Sequence, residues 1–517
     1  MSRTVRVALL ATVAWLVVFL VVPLAGMIIG NVRGDDFSRV LSNPATWRVV
    51  WFSTWQSVLS VAATFAVAAP VTWLIGRHQF AGRRALRAVT TVGFLLPSVV
   101  VAAGFLAVLP RSLHYSVFAI VIAHAYFNLA VVVRVVGARL ETLDRRLDEA
   151  ARSLGASPVR TVTSVSWPLV RGSVASAAAV TFLYCFTSYA VVRVLGGPAR
   201  NTMESDIALR AFGIGDVSAA TVIALLQATI IVCVVALLRR AARSDATLLR
   251  TSARLAPLPR DARRLAVTVS IVTVGFVAAP LAAVFWRSVH VGDAVSLEAW
   301  RNVFNESLFD SVVASLRTAL LTALLGTVLA GAAALGVVRL PRYGRTIDAI
   351  TVLPLAISPV TLGLGLIVTF DESWYDWRAA WWFVAIAHTL AAFPLIARVL
   401  VPAWRAVPAR LADAAAVLGA GELRRLVDVD LRLLRRAFAA GLGLAVAVSL
   451  GEFGAASLLS RRGAETMPVA VARLLERTGD LVRAQAFVLA SLLVVLCVAA
   501  LSVVETAVGR SRDAAHH

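Results

Sequence analysis

The chain has 517 residues, 59% of them hydrophobic and 15% charged, with a formal net charge of +21. A soluble domain of this length cannot hide so much apolar side chain, so composition excludes an ordinary globular protein and indicates a polytopic membrane protein. Every basic residue is arginine, which also excludes an ordinary Walker A phosphate loop, because that motif needs its lysine on the phosphates.

In chain order, Arg3 and Arg6 precede an apolar run from Val7 to Gly30 that is long for a signal-peptide core and reads as an uncleaved first helix. Spans of about 20 apolar residues are expected over roughly 8–30, 56–76, 88–109, 116–138, 173–195 and 216–239. Six more are expected over roughly 264–286, 314–338, 346–370, 381–403, 437–459 and 481–505. These lengths suit helices rather than barrel strands, which alternate over about 10 residues. Arginines crowd every second loop: Arg77, Arg83, Arg84 and Arg87, then Arg239 to Arg264, then Arg339, Arg342 and Arg345. The intervening loops are poorer in arginine or mixed with acid, as in 371–377. The positive-inside rule then places both termini in the cytoplasm. This distribution makes the positive charge a topology signal and argues against nucleic-acid binding. Cys185, Cys233 and Cys497 all fall within expected spans and read as small buried apolar residues, not disulfides or metal ligands.

The sequence repeats. Ile122-Ala123-His124 returns as Ile386-Ala387-His388, Arg134 as Arg398, Thr202-Met203 as Thr466-Met467, and Gly215-Asp216 as Gly479-Asp480, each 264 residues later. Leu96-Pro97 pairs with Leu353-Pro354, 257 residues later. A repeat of this period predicts two similar halves, 1–240 and 264–510, joined by the arginine-rich linker 241–263. Each half holds six spans and so starts and ends on one side. The expected fold is therefore all-α, about twelve membrane helices in two parallel six-helix repeats, with a translocation pathway at their seam.

The duplicated polar loops, 141–171 and 405–436, carry the strongest pattern. In the first, Leu143, Leu147, Ala150, Ala151 and Leu154 form an apolar stripe at helical spacing. Gly155 stands where a helix C′ glycine belongs, and Ser157-Pro158 look like an N-cap and first residue of a second short helix bearing Val159, Val162 and Val165. In the second, Leu411, Ala414, Ala415 and Leu418 repeat the stripe, Gly419 and Gly421 flank the turn, and Leu423, Leu426 and Val427 follow. The stripe either packs on the protein and lipid interface or docks to a partner; duplication, the glycine turn and the small alanines favour docking.

These residues resemble the signature loop of permease subunits in binding-protein-dependent ABC importers: Glu-Ala-Ala, three residues, Gly, nine residues, an apolar residue, one more, then Leu-Pro. Glu149, Ala150, Ala151 and Gly155 match it, Val165 fills the apolar slot, and Trp167-Pro168 closes it with tryptophan for leucine. The second copy has Asp413 for Glu, keeps Ala414, Ala415 and Gly419, places Val429 in the apolar slot and ends Leu431-Arg432, losing the proline. The resemblance covers nearly the whole chain. It implies a type I ABC importer permease in a bacterial cytoplasmic membrane, not itself an enzyme and holding no cofactor. Two ATP-binding cassette subunits would receive the two loops, and an extracytoplasmic binding protein would deliver substrate. The fused two-half form is similar to thiamine and ferric-iron importer permeases. Phe186 to Ala190, Leu195-Gly196-Gly197, Thr202-Met203-Glu204 with Ala208, Ser449 to Ala455 and Glu465 to Pro468 look most like the thiamine type. The implied substrate is a thiamine-like cation or ferric iron. The competing class is a secondary transporter with two six-helix halves, which would need ionisable residues at mid-membrane and would not carry signature loops.

Charges within spans are costly and often functional. Glu452 with Phe453, and Ser188 with Tyr189 at the corresponding place, are candidate pathway residues. Alternatively, Glu452 caps a helix end or pairs with Arg461 or Arg462. His124 and His388, with Asn128 one turn from His124, either hydrogen-bond between helices or line the pathway. Trp374, Trp377, Trp381 and Trp382 read as an interface belt or a substrate cage. No catalytic constellation and no metal-spaced cluster stands out.

Overall fold

The computed structural model describes residues 3–197, 199–242, 255–305, 308–340, 342–371, 375–461 and 463–513. The fold is an all-α membrane fold. Among the described residues the strands amount to two short pairings, His78–Gln79 parallel to Ala256–Pro257 and His290–Val291 antiparallel to Ala294–Val295. The first pairing ties the end of the expected linker to the loop after Pro44–Arg77; linker residues 243–254 lie outside the described residues. Among the described residues ten helices are long and apolar enough to cross a membrane, and two bent pairs raise the number of possible spans to twelve.

The bent pairs correct two expected spans. The run 88–109 is Arg83–Leu95 and Ser98–Val108 meeting at 103°, and the run 346–370 is Gly344–Leu355 and Pro359–Phe370 meeting at 91°. The cause is local. Leu96, before Pro97, is extended at φ −83°, ψ 148°, and Ser358, before Pro359, is extended at φ −69°, ψ 147°. The ring of a proline pushes its predecessor out of the helical region. Pro359 lies 262 residues after Pro97 (359 less 97), so it, rather than Pro354, occupies the place of Pro97 in the second half.

Two further spans end earlier than expected. The run 173–195 is a helix to Phe186 and a separate turn of helix Ala190–Gly196. The run 437–459 is a helix to Gly451 and the short Gly454–Leu459. Each break falls on polar residues, Thr187-Ser188-Tyr189 and Glu452, within a run that is otherwise apolar. Thr187 Oγ1, for one, donates to Leu183 O at 2.9 Å and closes the first helix.

The chain forms two compact units, and their limits cut across the sequence halves. One contains Met1–Val40, Ile207–Ala224 and Ser288–His517; the other contains Leu41–Asp206 and Leu225–Arg287. Each therefore includes the leading helix of the opposite half. In the first unit, Leu16 and Leu20 of that leading segment pack with Ala330, Ala334, Phe393 and Ile396. In the second unit, Tyr126 Oη donates to Val277 O at 3.0 Å, and Gly104 abuts Pro280.

Within a unit the helices approach on small residues, as membrane helices must when lipid offers no hydrophobic gain for association. Along Pro44–Arg77 the buried face reads Ser53, Ser57, Ser60, Thr64, Ala68, Val71 and Thr72. Near its end a Cβ on Gly76 would sit 2.7 Å from Leu140 Cβ and 3.2 Å from Gly137 O, so the contact with Val117–Glu141 requires glycine. Two hydroxyls tie later segments back to this layer and its counterpart. Met203 N donates to Ser53 Oγ at 2.8 Å, and Met467 N donates to Ser315 Oγ at 2.7 Å.

Candidate functional site

The first polar loop is a capped helix, a glycine turn and a second helix. Asp144 accepts from Arg146 N at 2.9 Å and starts Arg145–Ser153. Gly155 closes it at φ +83°, a conformation natural to glycine, with Ala156 N donating to Ala151 O at 3.0 Å across the six-residue turn. Ser157 Oγ accepts from Arg160 N at 3.3 Å. The expected second helix is continuous with the span that follows it. Pro158–Thr161 passes through a π-helical turn, Val162–Ser166, straight into Trp167–Phe186.

The second loop repeats this construction. Ala409–Val417 ends at Gly419, φ +74°, with Ala420 N donating to Ala415 O at 2.9 Å. Glu422–Arg425 leads through the π-helical turn Leu426–Leu431 into Arg432–Gly451. Pro168 is the second residue of its helix and lacks the N–H a regular turn would use; Arg432 stands at the same place, and the π turn forms without the proline.

Glu149 and Ala150 are exposed and Ala151 is half-buried; Asp413 and Ala414 are exposed and Ala415 is buried. Pro168, Gly155 and Gly419 are exposed. The apolar stripe divides: Leu143 is buried, whereas Leu147 and Leu411 are exposed and Leu154 and Leu418 project at 89% and 86% exposure. Val159, Val417 and Leu423 are exposed beside them, so each glycine turn carries a small apolar patch at a matched place, which scattered surface apolar residues do not make.

Sequence reasoning missed the ion pairs beneath these helices. Arg77 closes Pro44–Arg77 and is itself buried; it pairs with Asp148 of the first loop and donates to Leu143 O at 3.2 Å. Ser166 Oγ donates to the same Asp148 carboxylate at 3.4 Å. In the second half, Arg339 closes Phe309–Arg339 and pairs with Asp430, whose side chain is 3% exposed, and with Glu422 at 3.4 Å. The available signal was an arginine ending each of two repeat-related helices.

The four candidate pathway residues lie at the two span breaks. Ser188 and Tyr189 separate Trp167–Phe186 from Ala190–Gly196, Ser188 half-buried and Tyr189 buried. Glu452 and Phe453, both buried, separate Arg432–Gly451 from Gly454–Leu459. The Glu452 carboxylate accepts from Ala455 N and Ala456 N, each at 3.0 Å, and its Oε2 lies 3.2 Å from His388 Nε2. His388 Nδ1 meets Ser449 Oγ at 2.8 Å. Arg461 is turned to Asp376 instead, at 2.6 Å, and Arg462 lies outside the described residues. In the first half, His124 Nδ1 meets Ser60 Oγ at 3.1 Å and Asn128 Nδ2 donates to His124 O at 3.0 Å, with Ser188 where the other half has Glu452. Both histidines thus join helices within their units.

Trp377 and Trp382 lie 5.4 Å apart, Phe370 is 4.8 Å from Trp377, and Arg317 sits over Trp381 at 5.1 Å; Trp374 lies outside the described residues. The described residues contain no cluster of three or more His, Cys, Asp or Glu that could hold a metal. Cys185 and Cys497 are buried as expected, but Cys233, expected to be buried, is exposed on its unit.

The chain matches the family of binding-protein-dependent transport system inner membrane components twice, over residues 68–244 and 323–512. It is 28% identical over 507 residues to the thiamine transport system permease protein ThiP of Escherichia coli (strain K12), covering 93% of this chain and 92% of that protein. To the ThiP of Brucella suis biovar 1 it is 27% identical over 490 residues, covering 90% and 89%. To the ThiP of Haemophilus influenzae it is 24% identical over 472 residues, covering 87% and 86%.

Proposed function

The chain belongs to the family of binding-protein-dependent transport system inner membrane components, and from that premise we propose that its two loops couple ATP-binding subunits to the passage of thiamine or a closely related cation. It is a multi-pass inner-membrane permease of an ABC importer. The thiamine reading is supported by relatives that align with nearly its full length and are thiamine transport permeases by name.

ATP is bound and hydrolysed by separate subunits, two per permease, one for each loop, and the chain itself holds no cofactor. The lysine-free sequence supports this division of labour. The observation that carries the coupling reading is the pair of glycine-closed helices with Leu154 and Leu418 projecting beside them. Glu149, Ala150, Ala151, Gly155 and Pro168 form one contact, and Asp413, Ala414, Ala415 and Gly419 form the other. Both face the cytoplasm with the two termini, a reading that the arginine-rich loops support. A binding protein delivers substrate from the opposite face. The halves 1–240 and 264–510, joined by 241–263, each supply one loop to the ATP-binding subunits and one span break, Ser188-Tyr189 or Glu452-Phe453, to the pathway.

The test is uptake of labelled thiamine into proteoliposomes holding the permease, its ATP-binding subunit and its binding protein. ATP-dependent uptake that needs the binding protein is expected. Uptake driven by an ion gradient without ATP would instead place the chain among secondary transporters. Identifying the ligand that the partner binding protein retains on purification tests the substrate separately.

A further inference from the structure

The coupling helices must be held at a fixed angle to the membrane helices if motion outside the membrane is to reach the pathway. We infer that Arg77 and Arg339 are the positioning residues that hold them, through a carboxylate that has changed place between the repeats. The inference rests on the coupling role proposed for the loops.

Arg339 follows Arg77 by 262 residues (339 less 77), the offset that also relates Ser53 to Ser315. Each arginine ends the helix it closes and is largely buried. In the first half its carboxylate is Asp148, on the coupling helix. The corresponding residue 264 positions on is Ala412, which cannot pair. There the carboxylate is Asp430, in the π-helical turn at the foot of the next span. Its counterpart in the first half is Ser166, whose hydroxyl touches Asp148. One largely buried cation thus meets a carboxylate from the coupling helix in the first half and from the foot of the next span in the second, where Glu422 also approaches Arg339 at 3.4 Å. Both π turns cover that position, Val162–Ser166 and Leu426–Leu431.

A guanidinium held this far from water is costly without its partner, so losing the carboxylate releases the arginine. Arg77 also holds Leu143 O, at the start of the loop. Freeing it therefore loosens the coupling helix and the end of Val117–Glu141 together.

The test moves the carboxylate. The complex of permease, ATP-binding subunit and binding protein is purified and reconstituted with Asp148→Ala, and with Asp148→Ala plus Ser166→Asp, which copies the second-half arrangement into the first. Asp148→Ala is expected to lower folded yield and, in the protein that folds, to lower uptake per ATP hydrolysed by about tenfold, a size typical of residues along a coupling route. The double variant is expected to recover to within about twofold of the original. Unchanged coupling in Asp148→Ala, or a folded double variant without recovery, overturns the tether. Should Asp148→Ala fail to fold, the mirror exchange Ala412→Asp with Asp430→Ser decides in the same way: folded with normal coupling supports the tether, folded and uncoupled overturns it. An unsubstituted permease that does not retain the ATP-binding subunit would instead sink the coupling reading itself.

Discussion

Gly155 and Gly419 share one left-handed backbone conformation, φ +83° and φ +74°, at equivalent places 264 residues apart. A Cβ at either would meet no atom within 4 Å. The glycine is there for the turn and not for space, so both turns are conserved in shape by one local requirement. Substituting alanine adds no clash but forces an L-residue into the left-handed region, costing about 1–2 kcal/mol. Gly155→Ala with Gly419→Ala is expected to keep normal expression and to lower uptake per ATP. Normal coupling in that variant would show that the turn geometry is dispensable.

Leu154 and Leu418 give the second prediction. At 89% and 86% exposure they contribute almost nothing to the unit that carries them. Leu154→Ser with Leu418→Ser should leave folded yield unchanged. If each leucine inserts into a partner, burial of that side chain is worth roughly 1.5–3 kcal/mol, and retention of the ATP-binding subunit on purification should fall at least tenfold. Full retention would remove the leucines from the contact.

Glu452 supplies the third. Its carboxylate receives two backbone N–H groups and stands beside His388, so the end of the Gly454–Leu459 helix depends on it. Glu452→Gln keeps the shape and loses the charge; hydrogen bonds to charged groups contribute about 1.5–3 kcal/mol. Folded yield should fall, and the protein that does fold should take up thiamine more slowly. Normal uptake by the folded variant would remove Glu452 from the pathway.

The fourth concerns acid. Arg39 donates to Asp216 at 2.8 Å and holds that carboxyl well below the usual carboxylate range. A carboxylate with a depressed folded pKa stabilises above its unfolded value, about 3.9, and loses that contribution as the pH falls through the folded value. The pair is partly exposed, so the effect is roughly 0–1 kcal/mol. Asp216→Asn should lower the unfolding temperature slightly at pH 7 and remove part of the additional loss between about pH 4 and pH 2. Parallel acid profiles for the two proteins would show that the pair does not contribute.

What the sequence disclosed follows from range. The glycine turns, the amphipathic stripe and the apolar spans are each set within one helix, and all are legible. The bends at Pro97 and Pro359 lie inside runs that stay apolar throughout, so hydropathy passes over them although the prolines stand in plain view. Arg77 and Asp148 are 71 residues apart, and Arg339 and Asp430 are 91 apart. No local pattern ties such pairs, and the carboxylate sits on a different element in each half. The exchange of leading helices between the compact units is invisible for the same reason: a repeat specifies similar halves, not which half each helix packs in.

The most direct measurement compares ATP hydrolysis with thiamine uptake in the reconstituted complex, for the unsubstituted permease and for Glu149→Ala combined with Gly155→Pro. The account predicts ATP-dependent uptake in the first, and in the second hydrolysis that continues while uptake is lost. Uptake unchanged in the double variant, or uptake that proceeds without ATP, would contradict the coupling role of the loops.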